Sequence, residues 1–229
     1  MKTLALETSG RTGSVAAWDS ENPDAPTEIS LPQATRTAES LIVVIEEALT
    51  KCGWSKGDLE LIAVTQGPGS FTGLRIGCVT AKVLAFAVDA QLVGVNSLRV
   101  LAENSPAGSP LWCVMDAGRG QCVAARYSIE AAGQWHASIE PQLMETETWL
   151  HRLAQGERVT GPLLPTLGER LPATVEPLSK AHWHPRAEFV ARLGAQKFKG
   201  GQVASLWDFS PHYYRLSAAE EKRLLADRS

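Results

Sequence analysis

The feature that most restricts the fold of this chain is a near-repeat. Residues 6–18, LETSGRTGSVAAW, align with residues 114–126, VMDAGRGQCVAAR, so that Gly10-Arg11 falls on Gly118-Arg119 and Val15-Ala16-Ala17 on Val123-Ala124-Ala125, both 108 residues apart. Each copy reads as an apolar strand, a turn carrying glycine and arginine, and a second strand. In the first copy KTLALE sets Leu4 and Leu6 on one face and SVAAWD resumes after the turn, the pattern of a β-hairpin. Agreement of strand, turn and strand in one order predicts two similar halves, each opening on a hairpin.

The first half adds helices and a parallel crossover. A third strand is expected near PTEISL. TAESLIVVIEEALTKCG places apolar residues at 41, 44, 45, 48, 49 and 52, the period of a helix, with Gly53 where a stop belongs. LELIAVTQ (59–66) is a nearly continuous apolar run, as a strand covered on both faces requires. A turn then leads into a helix from about Phe71 to Val88, and QLVGVNS follows as a strand, completing a βαβ unit with a right-handed crossover. The expected class is therefore α/β: two related subdomains, each a mixed sheet flanked by helices. AENSPAGSPL (102–111), small and turn-forming, marks the boundary between an N-terminal subdomain, 1–104, and a C-terminal one, 105–229. In the second half helices are expected around TETWLHRLA and after Pro185 in RAEFVARLGAQKF, with a short strand near RVTGPLL. Ser217-x-x-Glu220 has capping-box spacing, so a last helix, about 217–229, is expected to pack back across the subdomains or fray.

GPGSFTGLRIG (67–77) resembles a phosphate cradle, but its spacing fails each phosphate motif. Neither Gly67 nor Gly69 has the following GK of a Walker loop, and a GxGxxG pattern finds Thr72 where its third glycine belongs. A GxSxG elbow fails as well, because Pro68 and Thr72 stand two residues from Ser70. The later glycines run on into the helix, where Gly73, Gly77, Ala81 and Ala85 recur every four residues as a stripe almost free of side chains. Two interior glycines cost about 2 kcal/mol of helix propensity against alanine, a loss that close packing offsets. Either another element of this chain lies on the stripe, or a second subunit does. In the second reading Phe71, Leu74, Cys78 and Lys82 flank Gly73, Gly77, Ala81 and Ala85 as a partner interface.

Other chemistry is sparse. The turn TSGRTG offers Thr8, Ser9, Gly10 and Thr12 as a candidate nucleotide loop, although most such turns are only turns. Its near-repeat at Asp116 to Gly120 adds interest, since two hairpin loops facing across a cleft build one ATP-binding architecture. His182 and His184 in AHWHP suit neither one helix face nor a zinc pattern, so surface positions are expected for them. Glu46-Glu47, Glu145/Glu147 and Glu220-Glu221 read as solvated faces. Cys52, Cys78, Cys113 and Cys122 form no CxxC pair, and MKTLALETSG lacks the features of a signal peptide, which points to a reducing cytoplasm. The apolar run CVTAKVLAFAV (78–88) is short and carries Lys82, so a core or interface helix is expected and no membrane span. With 22 Lys plus Arg against 25 Asp plus Glu the net charge is −3, which supplies no general field for nucleic acid. If the protein serves a nucleic acid, a partner makes most of the phosphate contacts.

LALETSGRTGSVA, IAVTQGPGSFTGLRIG, the helix through TAKVLAFA, LVGVNSL and the late PHYYR together resemble, in order and spacing, the bacterial TsaB (YeaZ) family of tRNA threonylcarbamoyladenosine biosynthesis proteins. The resemblance covers the first hundred residues and the second hairpin, and extends only loosely over 130–205. It implies an actin-like ATPase fold of two related subdomains. It also implies kinship with TsaD, the catalytic subunit that transfers a threonylcarbamoyl group to the adenosine beside the anticodon of tRNAs reading codons that begin with A. TsaD carries a metal-binding HxxxH after the strand that corresponds to LVGVN. Here Ser97 and Leu101 stand at those positions, and a hydroxyl and an aliphatic side chain cannot replace two imidazoles as ligands.

What the resemblance implies is thus a non-catalytic sister subunit with neither catalytic residues nor a metal. Such a subunit binds and activates TsaD through a helical interface, with the ATPase TsaE joining the assembly. Alone it pairs as a homodimer through much the same surface, and it meets tRNA through the complex. No cofactor of its own is expected, ATP or ADP at a subunit interface being the alternative. Two competing functions remain: a stand-alone ATP-binding and ATP-hydrolysing actin-like enzyme, suggested by the paired hairpins, and a peptidase, for which no Ser/His/Asp or Cys/His constellation can be named.

Overall fold

A computed structural model of the chain describes residues 1–32, 37–108, 110–130 and 133–215. The helix expected at 217–229 lies outside the described residues. Two five-stranded sheets repeat one another. The first contains β1 (Lys2–Glu7), β2 (Ser14–Asp19), β3 (Asn22–Ser30), β4 (Leu61–Gly67) and β5 (Gln91–Asn96) in the order β3-β2-β1-β4-β5. The second contains β6 (Leu111–Gly118), β7 (Gln121–Ile129), β8 (Trp135–Glu145), β9 (Arg158–Thr160) and β10 (Glu176–Pro177) in the order β8-β7-β6-β9-β10. In each, the first strand of a hairpin is central, with its hairpin partner antiparallel on one side and a parallel strand on the other. Leu4 thus faces Ala17 and Ile62, and Cys113 faces Ala125 and Thr160. The duplication written in the sequence extends to the strand order.

The helices are α1 (Thr37–Cys52), α2 (Phe71–Val88), α3 (Ser97–Glu103), α4 (Thr146–Arg152), α5 (Leu164–Leu167) and α6 (Ala187–Lys199). Strand residues alternate between two cores, as a period of two requires. Leu4, Leu6, Ile62 and Val64 pack under α1 and α2, while Ala5, Leu61 and Ala63 pack under α6. The α6 face is lined by small residues so that the helix can approach: a Cβ on Gly194 would come within 2.5 Å of the Ala63 Cβ. α3 lies between the two sheets, giving Val100 to the first core and Leu98, Leu101 and Ala102 to the second.

The linker near 104 does separate the two sheets, but α6, expected within the 105–229 unit, lies on the first sheet. Its Ala187, Val190, Ala191 and Leu193 fill the core of β1, β2, β4 and β5. The chain therefore returns to the first lobe after building the second. Residues 202–215 continue as an extended strap. The Ala204 N–H donates to the Leu92 carbonyl on the edge strand β5 (2.8 Å), and the His212 N–H to the Gln66 carbonyl near the end of β4 (2.7 Å). At its end the strap crosses to the other lobe, where Arg215 Nη1 donates to the carbonyls of Ala117 and Gly118 at 2.9 and 3.0 Å.

Candidate functional site

The candidate site is built on α2, and its two faces must be described apart. Ser70 caps the helix, its hydroxyl accepting the Gly73 N–H (3.2 Å), and the helix ends at Asp89 in a left-handed conformation, φ 56°. Gly73, Leu74, Gly77, Cys78, Ala81 and Ala85 all point inward and are buried. The end of β1 lies directly on the glycines. A Cβ on Gly73 would overlap the Thr8 carbonyl oxygen, one on Gly77 the Thr8 side chain, and one on Gly69 the Ser9 backbone. Of the two readings of the stripe, the structure realises the first: the element that lies on it belongs to the same chain. Six of the eight proposed interface residues, Gly73, Leu74, Gly77, Cys78, Ala81 and Ala85, are corrected accordingly, since buried residues have no surface to offer a partner. Burial also pushes the Cys78 thiol up to about 12, so it is inert at neutral pH.

Phe71 and Lys82 lie at the margin and hold the strap. Phe71 stacks on Tyr213 with ring centres 4.5 Å apart, Arg75 lies over the Phe71 ring and donates from Nε to the Tyr213 hydroxyl (3.2 Å), and Lys82 Nζ donates to the Trp207 carbonyl (3.1 Å). Solvent instead meets a row of large apolar side chains that the sequence reading passed over: Val79, Val83 and Phe86, 60, 59 and 68% exposed. Ile42 and Val43 on the neighbouring α1 are also exposed, and Trp207 of the strap, 81% exposed, meets Phe86 edge-on. The spacing 79, 83, 86 is helical, so the signal was present. A helix that is apolar all round needs something on both faces, and apolar surface gathered on one side of a folded domain marks a contact site. By length and composition α2 could also cross a membrane, being longer than the run 78–88 alone suggested, yet its inner face is packed on its own sheet.

The hairpin turn proposed as a nucleotide loop is committed elsewhere. Thr8 and Ser9 are buried. The Thr8 N–H donates to the Thr65 hydroxyl (3.3 Å), the Ser9 N–H and hydroxyl both donate to Oε1 of Glu7 (2.8 Å for the N–H), and the Ser9 carbonyl accepts the Ser70 N–H (2.7 Å). Gly10 and Thr12 lie farther along the turn, the Thr12 hydroxyl buried without a partner among the described residues. A cleft of about 380 Å³ separates Ser9 to Arg11 from Met115 and Asp116 of the second lobe; of the second turn only Asp116 borders it.

The metal positions are filled by core. Ser97 and Leu101 are both fully buried on α3, Leu101 among Leu98, Leu111 and Met115. Among the described residues no three His, Cys, Asp or Glu side chains are grouped to hold a metal, and these two residues do not fit one. His182 and His184 are half-buried rather than on the surface: His182 Nδ1 lies 2.5 Å from the Asn104 carbonyl, and burial holds the His184 ring below its usual pKa.

Comparison with known proteins adds family membership to this geometry. The sequence model of the tRNA N6-adenosine threonylcarbamoyltransferase family, TsaD, matches residues 32–164. The tRNA threonylcarbamoyladenosine biosynthesis protein TsaB of Bacillus subtilis is 31% identical over 78% of this chain and 79% of its own length. The TsaB protein of Escherichia coli K12 is 27% identical over 97% and 98%. The solved structure of YeaZ from Pseudomonas aeruginosa superposes with a TM-score of 0.77, covering 93% of this chain and 99% of that one at 22% identity, a likeness that speaks for the fold alone.

Proposed function

The chain belongs to the TsaB family of tRNA threonylcarbamoyladenosine biosynthesis proteins, and from that premise we propose that it is the accessory, non-catalytic subunit in this tRNA modification. It acts by binding and activating the catalytic subunit TsaD. The observation that carries this reading is the apolar row Val79, Val83 and Phe86 beside Ile42 and Val43, exposed on two helices that a sheet holds in place. Burying such a row drives association, and large side chains at its centre dominate affinity.

The absence of catalysis rests on Ser97 and Leu101, absorbed into the core where the transferase kin carry histidines. The turn from Thr8 to Thr12 serves the fold, and no nucleotide belongs to this chain itself, because the Thr8 and Ser9 amides are already paired. A face that pairs with its own copy is self-complementary, and a related chain can replace one copy. The protein is thus a homodimer alone and a heterodimer with TsaD, joined by the ATPase TsaE. With a net charge of −3, tRNA is held through the complex. Its four free thiols suit the cytoplasm.

The test is co-purification with the TsaD of the same organism, comparing wild type with the double variant Val83→Asp/Phe86→Asp, and measurement of threonylcarbamoyladenosine in tRNA from cells carrying each. The variant is expected to stay folded, lose TsaD and lower the modification. Unchanged modification after deletion of the gene, or wild-type binding by the variant, rejects the reading.

A further inference from the structure

Beneath the seat of α2 lies an acid that has no counter-charge among the described residues. Glu7, at the end of β1, is fully buried. The donors converge on one of its oxygens: Oε1 takes the Ser9 N–H, the Ser9 hydroxyl and the Thr65 hydroxyl, while Oε2 is buried with no partner among the described residues. Among the described residues the ionisable neighbours are Glu28 on β3, itself tied to Arg186 at the start of α6 (2.7 Å), Glu188, which shares that arginine (3.3 Å), and His184, which borders the same space as Ser14 and Glu28. Arg11, on the turn above, is exposed. An ionised carboxylate with no exposed surface and no cation beside it among the described residues is costly, and the neutral acid costs less.

We propose that the folded protein carries Glu7 as the neutral acid, and that its ionisation loosens the seat on which α2 rests, a proton-sensitive latch inside the first lobe. The path is short. Glu7 holds Ser9, the Ser9 carbonyl holds the Ser70 N–H at the start of α2, and Thr8 and Ser9 fill the space left by Gly69, Gly73 and Gly77. Burial pushes the Glu7 carboxyl up to about 7, the hydrogen bonds from Ser9 and Thr65 pull it only partly back, and the charge of Glu28 pushes in the direction of burial. With the folded value above the unfolded one, the native state binds the extra proton between about pH 4.5 and about pH 7. Stability from this group is intact below that window, falls as pH rises through it, and levels off above. The latch does not depend on what docks to the outer face of α2.

The experiment follows unfolding of the wild type and of Glu7→Gln from pH 5 to pH 8.5, with hydrogen exchange at residues 70–77 as a local readout. Glutamine copies the shape and neutrality of the acid. The wild-type folding constant is expected to fall by up to about tenfold per pH unit across the window, relative to the variant, with faster exchange at the start of α2 above pH 7. The variant is expected to be the more stable protein at pH 8.5. Parallel pH profiles overturn the proposal. Should Glu7→Gln fail to fold, a carbon-13 titration of the wild-type carboxyl decides: a midpoint above 6 supports the latch, and one below 5 overturns it.

Discussion

The two faces of α2 share one backbone and obey opposite rules. On the inner face a stripe of glycine and alanine runs beside Leu74 and Cys78, and the nearest atoms to Gly73 and Gly77 belong to Thr8 of the same chain. On the outer face they are valine and phenylalanine, and the nearest medium is water. A run of small residues therefore says that something comes close without saying what, and here it is the protein's own hairpin. Docking energy is carried by large apolar side chains left in solvent, which a search for small residues does not detect.

Substitutions on each face sharpen that contrast. Gly73→Val should have the largest effect, because its Cβ meets a backbone carbonyl that cannot move without shifting the end of β1. A loss on the order of 4 kcal/mol is expected, read as a collapse of the urea midpoint. Ala81→Leu also adds volume to a closed seam, so about 2–3 kcal/mol should be lost in the same measurement, with partner affinity falling only as far as unfolding explains. Phe86→Ala, on the outer face, should leave the urea midpoint within about 0.5 kcal/mol and weaken TsaD binding by about 2 kcal/mol, seen by calorimetry. If Phe86→Ala unfolds the protein while Ala81→Leu is harmless, the assignment of the two faces is wrong. Trp207→Ala should change stability least, by less than about 0.5 kcal/mol. Its effect on binding maps the rim of the docking face, because wild-type affinity would confine that face to the helices.

Much of the architecture was legible. The near-repeat led to two hairpin-centred sheets, and the period of 41, 44, 45, 48 and 49 led to α1, because those patterns reflect burial that each segment must satisfy wherever it packs. β8 was passed over although Trp135, Ala137, Ile139 and Leu143 alternate with His136, Ser138, Glu140 and Gln142: Pro141 interrupts the run, which an edge strand tolerates and an inner strand does not. α3 is short and packed between two sheets, so Leu98, Val100 and Leu101 show no amphipathic face. The strap, with no regular pattern, is held by contacts made more than a hundred residues away, such as Gln66 to Ser210 and Asn96 to Tyr214.

At the site the division is sharper. From the sequence came the failure of every phosphate motif at 67–77 and the duplication, since residue type and spacing alone limit that chemistry, whereas reading Ser97 and Leu101 as replaced ligand positions rests on the resemblance to the transferase family. The direction in which the small-residue stripe points, the exposure of Val79, Val83 and Phe86, and the isolation of Glu7 were settled by tertiary structure. Each depends on which atoms from distant parts of the chain come within a few ångströms. A helix that is apolar on every side carries no mark of which side its own protein will cover. That choice is made when the end of β1 comes down on Gly73 and Gly77, and it leaves the opposite row facing water.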